Sequence, residues 1–264
     1  MRTFVLILVA VGALASGCGT EHRNAEHRNA EHRKAERTST QAPPPAPRSQ
    51  HCTTSLRPLR SSSLAYVGVA DGGAVARRSP AGAVVARFGR LNVNGYPTMF
   101  GVVGVVRARN CAPVWYRVQL PRKPNGSTGF VRAGSLAVQP VRARIEVDLS
   151  SRTLTLFRAG RAVFHASVAV GSPATPTPTG RYYVNQRLIP EDKAGPYGPA
   201  AIGISAFSTV LTGWAQGGPI AIHGTNEPWS IGHAVSNGCI RLPNATLEKL
   251  FREAVAGTPV IIHV

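Results

Sequence analysis

Acidic side chains are scarce in this chain of 264 residues, which has 12 Asp and Glu against 30 Lys and Arg and a formal net charge of +18. Such a charge favours binding to polyanions. However, 26 of the 30 basic residues are arginine, a usage that is also typical of a GC-rich genome. Long apolar runs are scarce too. The run Thr3–Leu14 is too short to cross a bilayer as a helix of the mature protein.

The first 17 residues have the pattern of an export signal: Arg2, the apolar run, and then the small residues Ala15–Gly17. Cys18 follows, so this end resembles the lipobox of bacterial lipoproteins. The resemblance implies removal of residues 1–17, lipid attachment to Cys18 and anchoring at the outer face of the cytoplasmic membrane. The alternative is ordinary secretion, in which Cys18 carries no lipid. Export makes lipid headgroups and acidic wall polymers the expected polyanions, and not nucleic acid.

Cysteine is also sparse, with four in the chain. If Cys18 carries lipid and Cys239 is a nucleophile, Cys52 and Cys111 are the remaining pair. Oxidising conditions outside the cytoplasm permit a disulfide between them. Two free, buried thiols are the alternative.

Residues 18–51 are predicted to form a tether. They begin with repeats of Glu-His-Arg-Asn-Ala, which contain no apolar residue larger than alanine, and end in a proline-rich spacer. His22, His27 and His32 recur every five residues, a spacing unsuited to a metal site on one helix face. We therefore expect no metal site in these repeats.

Residues 52–140 are predicted to form a small β domain, because short apolar runs alternate with turns such as Asn94-Gly95. The pattern Trp115–Val118, a turn and then Gly129–Val131 resembles the end of a bacterial SH3-like barrel. This resemblance implies either a module that contacts the cell wall or a barrel that packs on its neighbour.

Residues 141–264 are predicted to form a second β-rich domain with one helix. Ile145 and Val147 alternate with polar positions, as in half-buried antiparallel strands. The helix is expected after Asn244, as its N-cap, and Gly257 is expected to close it. Its buried face contains Leu247, Leu250, Phe251 and Ala254.

Two motifs carry the candidate chemistry. They are Ile222-His223-Gly224-Thr225 and Ser236-Asn237-Gly238-Cys239-Ile240-Arg241-Leu242. A cysteine thiolate attacks acyl carbons well, but it needs a base such as His223 to form near neutral pH. Glu227 is the one acid between His223 and Cys239. A Cys-His-Asp triad is therefore not required.

With Thr177-Pro178-Thr179-Gly180, these motifs make residues 141–264 resemble the catalytic domain of YkuD-type L,D-transpeptidases. The resemblance implies a YkuD-type β-sandwich with one packed helix, so the fold class expected for the chain is mainly β. It also implies peptidoglycan tetrapeptide stems as substrates. Cys239 would attack the carbonyl of the third residue, release D-alanine and form a thioester, which an amine of a second stem resolves into a 3-3 cross-link. Carbapenem β-lactams are the implied inhibitors, and such an enzyme is expected to need no metal and no cofactor.

The same resemblance implies roles for the motif residues. His223 would be the proton carrier, with its second ring nitrogen held by a main-chain carbonyl at Gly224 or Thr225. The amides of Gly238 and Cys239 would bind the oxyanion. Gly224, Ser236 and Asn237 are assigned to orienting the site. Many family members have histidine where this chain has Asn237, and Asn cannot titrate near neutral pH, so proton transfer falls on His223 alone.

Arg241, Thr225 and Tyr197 are the predicted substrate contacts. In a strand, Arg241 would lie on the same side as Cys239, where it could stabilise the thiolate or bind a carboxylate. An ion pair that holds the loop is the alternative for Arg241. Residues 189–201, rich in Pro and Gly, are predicted to form a lid over the site.

Other functions stay open at this point. An L,D-carboxypeptidase would use water as the acyl acceptor, and a protein-to-peptidoglycan ligase would use a protein amine. A non-catalytic wall-binding lipoprotein would need neither Cys239 nor His223. A cysteine protease is disfavoured, because here the histidine precedes the cysteine closely within one segment.

Overall fold

A computed structural model describes residues 52–264 of the chain. The signal peptide, the tether and the lipid anchor at Cys18 are predictions for residues outside this range. Within it, Cys52 and Cys111 are joined by a disulfide. No helix of the described part is long and apolar enough to span a membrane.

The first part of the described chain forms one antiparallel sheet of eight strands, here called the N-terminal sheet. Its strands are β1 (Arg57–Pro58), β2 (Ala65–Ala70), β3 (Gly73–Arg77), β4 (Val84–Gly89), β5 (Met99–Arg107), β6 (Pro113–Gln119), β7 (Thr128–Arg132) and β8 (Leu136–Val141). The main order is β4-β3-β7-β6-β5-β2-β8, and β1 pairs with β5. A mainly β fold was expected here, and the SH3-like identity of this sheet stays a prediction.

The second part forms another sheet of eight strands, here called the C-terminal sheet, and a two-stranded ladder. The strands are β9 (Ala143–Asp148), β10 (Thr153–Arg158), β11 (Arg161–Ser167), β12 (Val170–Gly171), β13 (Gly180–Leu188), β14 (Ala201–Phe207), β15 (Pro219–His223), β16 (Ala234–Ser236), β17 (Ile240–Arg241) and β18 (Pro259–His263). The sheet order is β11-β10-β9-β18-β13-β14-β15-β17, and β12 pairs with β16.

The C-terminal sheet is mixed beyond the antiparallel strands that the alternating pattern predicts at its start. β9, β10 and β11 do form an antiparallel meander, but β18 pairs with β9 in parallel and β17 pairs with β15 in parallel. The alternation reports which face of a strand is buried and carries no information on the direction of its neighbour. Buried residues of β10, β14 and β17 share one core cluster, so the sheet curls around that core.

The helix α1 (Asn244–Glu253) packs on this core through Leu247 and Leu250, which are fully buried as expected. The expected N-cap is wrong, because α1 begins at Asn244 itself, after Pro243, and no side chain caps it. The Asn244 side chain instead accepts a hydrogen bond from the Thr225 N–H at 2.8 Å. The helix also ends before Gly257, which lies in the turn that leads to β18.

The two sheets contact each other within one compact unit. The buried Tyr183 donates its hydroxyl to the carbonyl of Met99 at 2.9 Å. Asn125 bonds both the N–H and the carbonyl of Phe207, at 2.9 and 2.8 Å. These polar contacts join the sheets at defined positions along β13 and β14.

Candidate active site

His223 ends β15 in a buried position. The strand is apolar, and its side chains Ile220 and Ile222 are fully buried in the core of the C-terminal sheet. The His223 Nδ1 lies 2.5 Å from the carbonyl oxygen of Gly224. Because a carbonyl can only accept, Nδ1 carries the proton and Nε2 is free to accept one. The ring is therefore oriented as a base by main chain and not by a carboxylate.

The pKa of His223 is lowered to about 4, mainly by burial. The hydrogen bond to Gly224 opposes this shift, and the charge of Arg241 adds to it. Burial also raises the pKa of Cys239, against the effects of the Ala221 N–H and of Arg241. In the resting site at neutral pH, the imidazole of His223 and the thiol of Cys239 are therefore both neutral.

The register of β15 and β17 brings His223 and Cys239 together. These strands run parallel, with Ile222 opposite Ile240 and His223 opposite Arg241. Cys239 precedes this ladder, and its sulfur interacts with the N–H of Ala221. His223 lies two residues further along β15, about 6.6 Å of strand rise. Cys239 is the one free cysteine among the described residues.

The turn before Cys239 is held by its own side chains. Gly238 has a φ of 106°, which a glycine tolerates and other residues rarely adopt. The buried Ser236 accepts from the Gly238 N–H at 3.1 Å and donates its hydroxyl to the Cys239 carbonyl at 2.6 Å. The Gly238 amide, one of two predicted oxyanion donors, is thus engaged within the turn, which leaves the Cys239 amide as the better candidate.

Two threonines brace the same turn from a distant segment. Thr177 donates to the carbonyl of Gly238 at 2.9 Å and accepts from the N–H of Gly171 at 2.8 Å. Thr175 donates to the carbonyl of Ser236 at 2.9 Å. The Thr-Pro-Thr-Gly motif contained Thr177, but its role as a support of the nucleophile turn was not predicted. No pattern in the sequence indicates the role of Thr175.

Arg241 forms an ion pair with Glu227. This is the alternative considered for Arg241, and it fixes the segment between the two motifs. The guanidinium still acts on both reactive groups, since its charge lowers the pKa of His223 and of Cys239. A contact of Arg241 with substrate stays a prediction.

Cys239 opens into a cavity of about 700 Å³. Its walls come from strands β13, β14 and β15 and from three loops, and none of the described residues that line it is charged. Tyr197 lines it, and the Tyr197 ring meets the His223 ring edge-on, with centroids 5.0 Å apart. Ile189 and Pro190, from the segment predicted as a lid, also line it, as does Trp214.

The N-terminal sheet contributes to this cavity, which the sequence did not indicate. Asn94 and Tyr96 line the same cavity as Cys239. They belong to a short hairpin, residues 91–97, in the connection between β4 and β5. The Asn94 amide donates to Gln186 Oε1 at 3.0 Å and accepts from Gln216 Nε2 at 2.8 Å. Asn92 also donates to Gln186, at 3.1 Å. These hydrogen bonds connect the hairpin to two walls of the cavity, one in β13 and one in the loop that contains Gln216.

The remaining predicted residues have different environments. Thr225 is buried, and its hydroxyl accepts from the N–H of Glu227 at 2.9 Å. Its main chain is held by Asn244, so Thr225 supports the histidine loop from within. Asn237 is exposed. Among the described residues, no group of His, Cys, Asp and Glu is arranged to hold a metal ion.

Known proteins match the part of the chain that contains this site. The family model of YkuD, the L,D-transpeptidase catalytic domain, matches residues 142–262. YkuD of Bacillus subtilis is 36% identical over 119 residues, which are 45% of this chain and 65% of that relative. YkuD of Bacillus licheniformis is 34% identical over 150 residues, which are 54% of this chain and 83% of that relative. The names of both relatives place them among the L,D-transpeptidases.

Solved structures also resemble part of this chain. The catalytic domain of an E. faecium L,D-transpeptidase acylated by ertapenem is 23% identical. The alignment covers 46% of this chain and 96% of that one, with a TM-score of 0.34.

Proposed function

We propose that this chain, which belongs to the YkuD family of L,D-transpeptidases, forms 3-3 cross-links between peptidoglycan tetrapeptide stems through a thioester on Cys239. One observation carries the proposal. A buried histidine, held in the orientation of a base by the Gly224 carbonyl, ends the strand that pairs with the segment directly after a free cysteine, and this cysteine opens into a cavity of about 700 Å³.

In the first half-reaction, Nε2 of His223 takes the proton of the Cys239 thiol as sulfur attacks the carbonyl between the diamino acid and D-alanine. The neutral resting pair becomes charged only as attack proceeds, so the Cys239 amide and the charge of Arg241 stabilise the anionic tetrahedral intermediate. The C–N bond then breaks, His223 returns its proton to the leaving amine, and D-alanine departs.

In the second half-reaction, the side-chain amine of a diamino acid on another stem attacks the thioester. His223 takes a proton from the attacking nitrogen and gives it to the departing sulfur, which restores the thiol. The product is an amide between two diamino acids, a 3-3 cross-link. Water in place of the amine would give a tripeptide, the product of a carboxypeptidase, and a protein amine would give a ligase product.

The proposed site of action is the cell wall space, with the chain exported and held at the membrane through Cys18. Carbapenems are proposed inhibitors, because their strained ring carbonyl is an acyl donor of the same kind. Attack by Cys239 opens the C–N bond of the ring, and the ring nitrogen takes the proton.

The test uses the purified chain with disaccharide-tetrapeptide and reads the products by mass spectrometry. We expect a dimer that has lost one D-alanine, and no dimer with Cys239→Ala. A tripeptide as the sole product would replace the transpeptidase with a carboxypeptidase. Unchanged substrate with a folded wild-type chain would overturn both.

A further inference from the structure

A second cavity, of about 550 Å³, contains three arginines. Arg60 and Arg117 belong to the first part of the chain, and Arg181 belongs to β13 of the C-terminal sheet. The cavity therefore lies where the two sheets meet. The catalytic function does not account for this concentration of positive charge.

These arginines have no carboxylate partners among the described residues. The ion pairs of the described part join Arg144 to Glu146, Arg158 to Glu253 and Arg241 to Glu227. Arg60, by contrast, donates to the uncharged Oε1 of Gln119 at 3.3 Å. Arg117 donates to the hydroxyl of Thr128, also at 3.3 Å.

Arg60 is held in place although the neighbouring positive charge repels it. Burial and the charge of Arg181 lower the pKa of Arg60. The buried Gln119 connects the two, because its Oε1 accepts from Arg60 and its Nε2 donates to the main-chain carbonyl of Arg181 at 2.7 Å. Gln119 thus joins the Arg60 guanidinium to the main chain of Arg181. A guanidinium has several N–H donors, so the hydrogen bond of Arg60 to Gln119 leaves donors for a further acceptor.

We propose that this cavity binds a phosphate group carried by a soluble molecule or polymer. A phosphate would neutralise the repulsion and accept hydrogen bonds from several guanidinium groups, for which arginine has the matching planar fork. A cavity of about 550 Å³ also leaves room for the group to which the phosphate is attached. A recess between two sheets suits a protruding group better than the flat surface of a bilayer, so a lipid headgroup is the less favoured source.

The second cavity, which contains the three arginines, is separate from the candidate active site. Arg181 lies near the start of β13, whereas Asn185, Gln186 and Leu188, near its end, line the cavity around Cys239. Binding there would hold the enzyme on a phosphate-containing polymer while the active site stays open. Its test is therefore independent of transpeptidation.

The experiment measures binding of inorganic phosphate and of sodium polyphosphate to the full chain by calorimetry, with ionic strength held constant by sodium chloride. The variant Arg60→Gln/Arg181→Gln removes two cavity charges. The single variant Arg117→Gln tests the same cavity with less change to the interface between the sheets. Arg161→Gln, an exposed arginine of β11, is the matched control for loss of charge.

We expect the double variant to bind both ligands about ten-fold more weakly or worse, since each lost charged hydrogen bond has an effect of that size. Arg117→Gln should weaken binding in the same direction, and Arg161→Gln should stay within about two-fold of wild type. An equal loss with Arg161→Gln would overturn the proposal, because the binding would then follow net charge alone. Binding to phosphatidylglycerol vesicles that the double variant abolishes, without binding to polyphosphate, would also overturn it in favour of a membrane site.

Discussion

His223 has a proton on Nδ1 and an open Nε2 because the next residue's carbonyl faces its ring. Burial then keeps this base neutral far below the usual pKa of histidine, to about 4. An imidazolium at this buried position would be repelled by the positive charge of Arg241. The ion pair of Arg241 with Glu227 offsets part of that charge and so limits the repulsion in the intermediate. At the scale of the residue, we therefore expect a base that works over an unusually acidic range.

The pH dependence of Cys239 acylation by a carbapenem tests this environment. Because the folded-state pKa of His223 is lowered, the base stays unprotonated as pH falls through 6.5. The acylation rate should therefore hold to about pH 5 and fall only near pH 4. The rate is followed by loss of carbapenem absorbance, with circular dichroism at each pH to confirm folding. A loss centred near pH 6.5 would contradict the proposed state of the histidine.

Thr177 provides a second prediction at this scale. Thr177→Val removes a buried hydroxyl and leaves the Gly238 carbonyl and the Gly171 N–H without their partner, at a cost of about 1–3 kcal/mol. A turn that shifts by even a fraction of an ångström misplaces the nucleophile, so we expect carbapenem acylation to slow about ten-fold or more. Thr177→Ser keeps the hydroxyl and should retain most of the rate. If Thr177→Val were acylated as fast as Thr177→Ser, the hydrogen bonds of the hydroxyl would have no part in positioning the nucleophile.

The hairpin between β4 and β5 is the element that links the N-terminal sheet to the catalytic cavity. Asn94→Ala removes its hydrogen bonds to Gln186 and Gln216, so the wall that includes Trp214 loses a fixed position. We expect kcat/KM with the tetrapeptide donor to fall about 2- to 10-fold, which corresponds to hydrogen bonds of ordinary net strength.

Val93→Ala is the matched control for this hairpin. Val93 is 82% exposed and precedes Asn94, so its truncation should leave kcat/KM unchanged. If Asn94→Ala also left kcat/KM unchanged, the hairpin would be a neighbour of the site without a part in it.

Sequence reasoning succeeded where the signal is local and failed where it depends on distant segments. The spacing of apolar residues predicted the buried face of α1. The two motifs predicted His223 and Cys239 as a pair, which the parallel pairing of β15 with β17 supports, and their roles in catalysis stay a prediction. Thr177 meets Gly238 across 61 positions, and Asn94 meets Gln216 across 122, so no local pattern indicates either contact. Asparagine is a common N-cap residue, but the side chain of Asn244 accepts a hydrogen bond from the distant Thr225 N–H instead.

At the scale of the whole molecule, the two sheets are expected to unfold together. Gly257, with a φ of 84°, allows the turn before β18 to approach β2 so closely that a Cβ there would lie 2.2 Å from the Cβ of Val67. Gly257→Ala should therefore lower the free energy of unfolding through both backbone strain and a clash between the sheets, and the clash adds about 1–3 kcal/mol.

Gly126→Ala separates these two causes. Gly126 has a φ of 79°, but a Cβ added there would meet no atom within 4 Å, so its variant should show the backbone strain alone. Urea unfolding of both variants measures the difference. Equal losses would mean that a Cβ at position 257 causes no destabilising clash with β2.

The central claim is that Cys239 carries the acyl group, and trapping that intermediate tests it most directly. The chain is mixed with disaccharide-tetrapeptide, quenched in acid and digested, and the peptides are mapped by mass spectrometry. We predict that the peptide containing Cys239 gains the mass of the donor minus D-alanine, and that Cys239→Ala shows no such gain. The same gain on any other residue, or its survival in Cys239→Ala, would contradict the account.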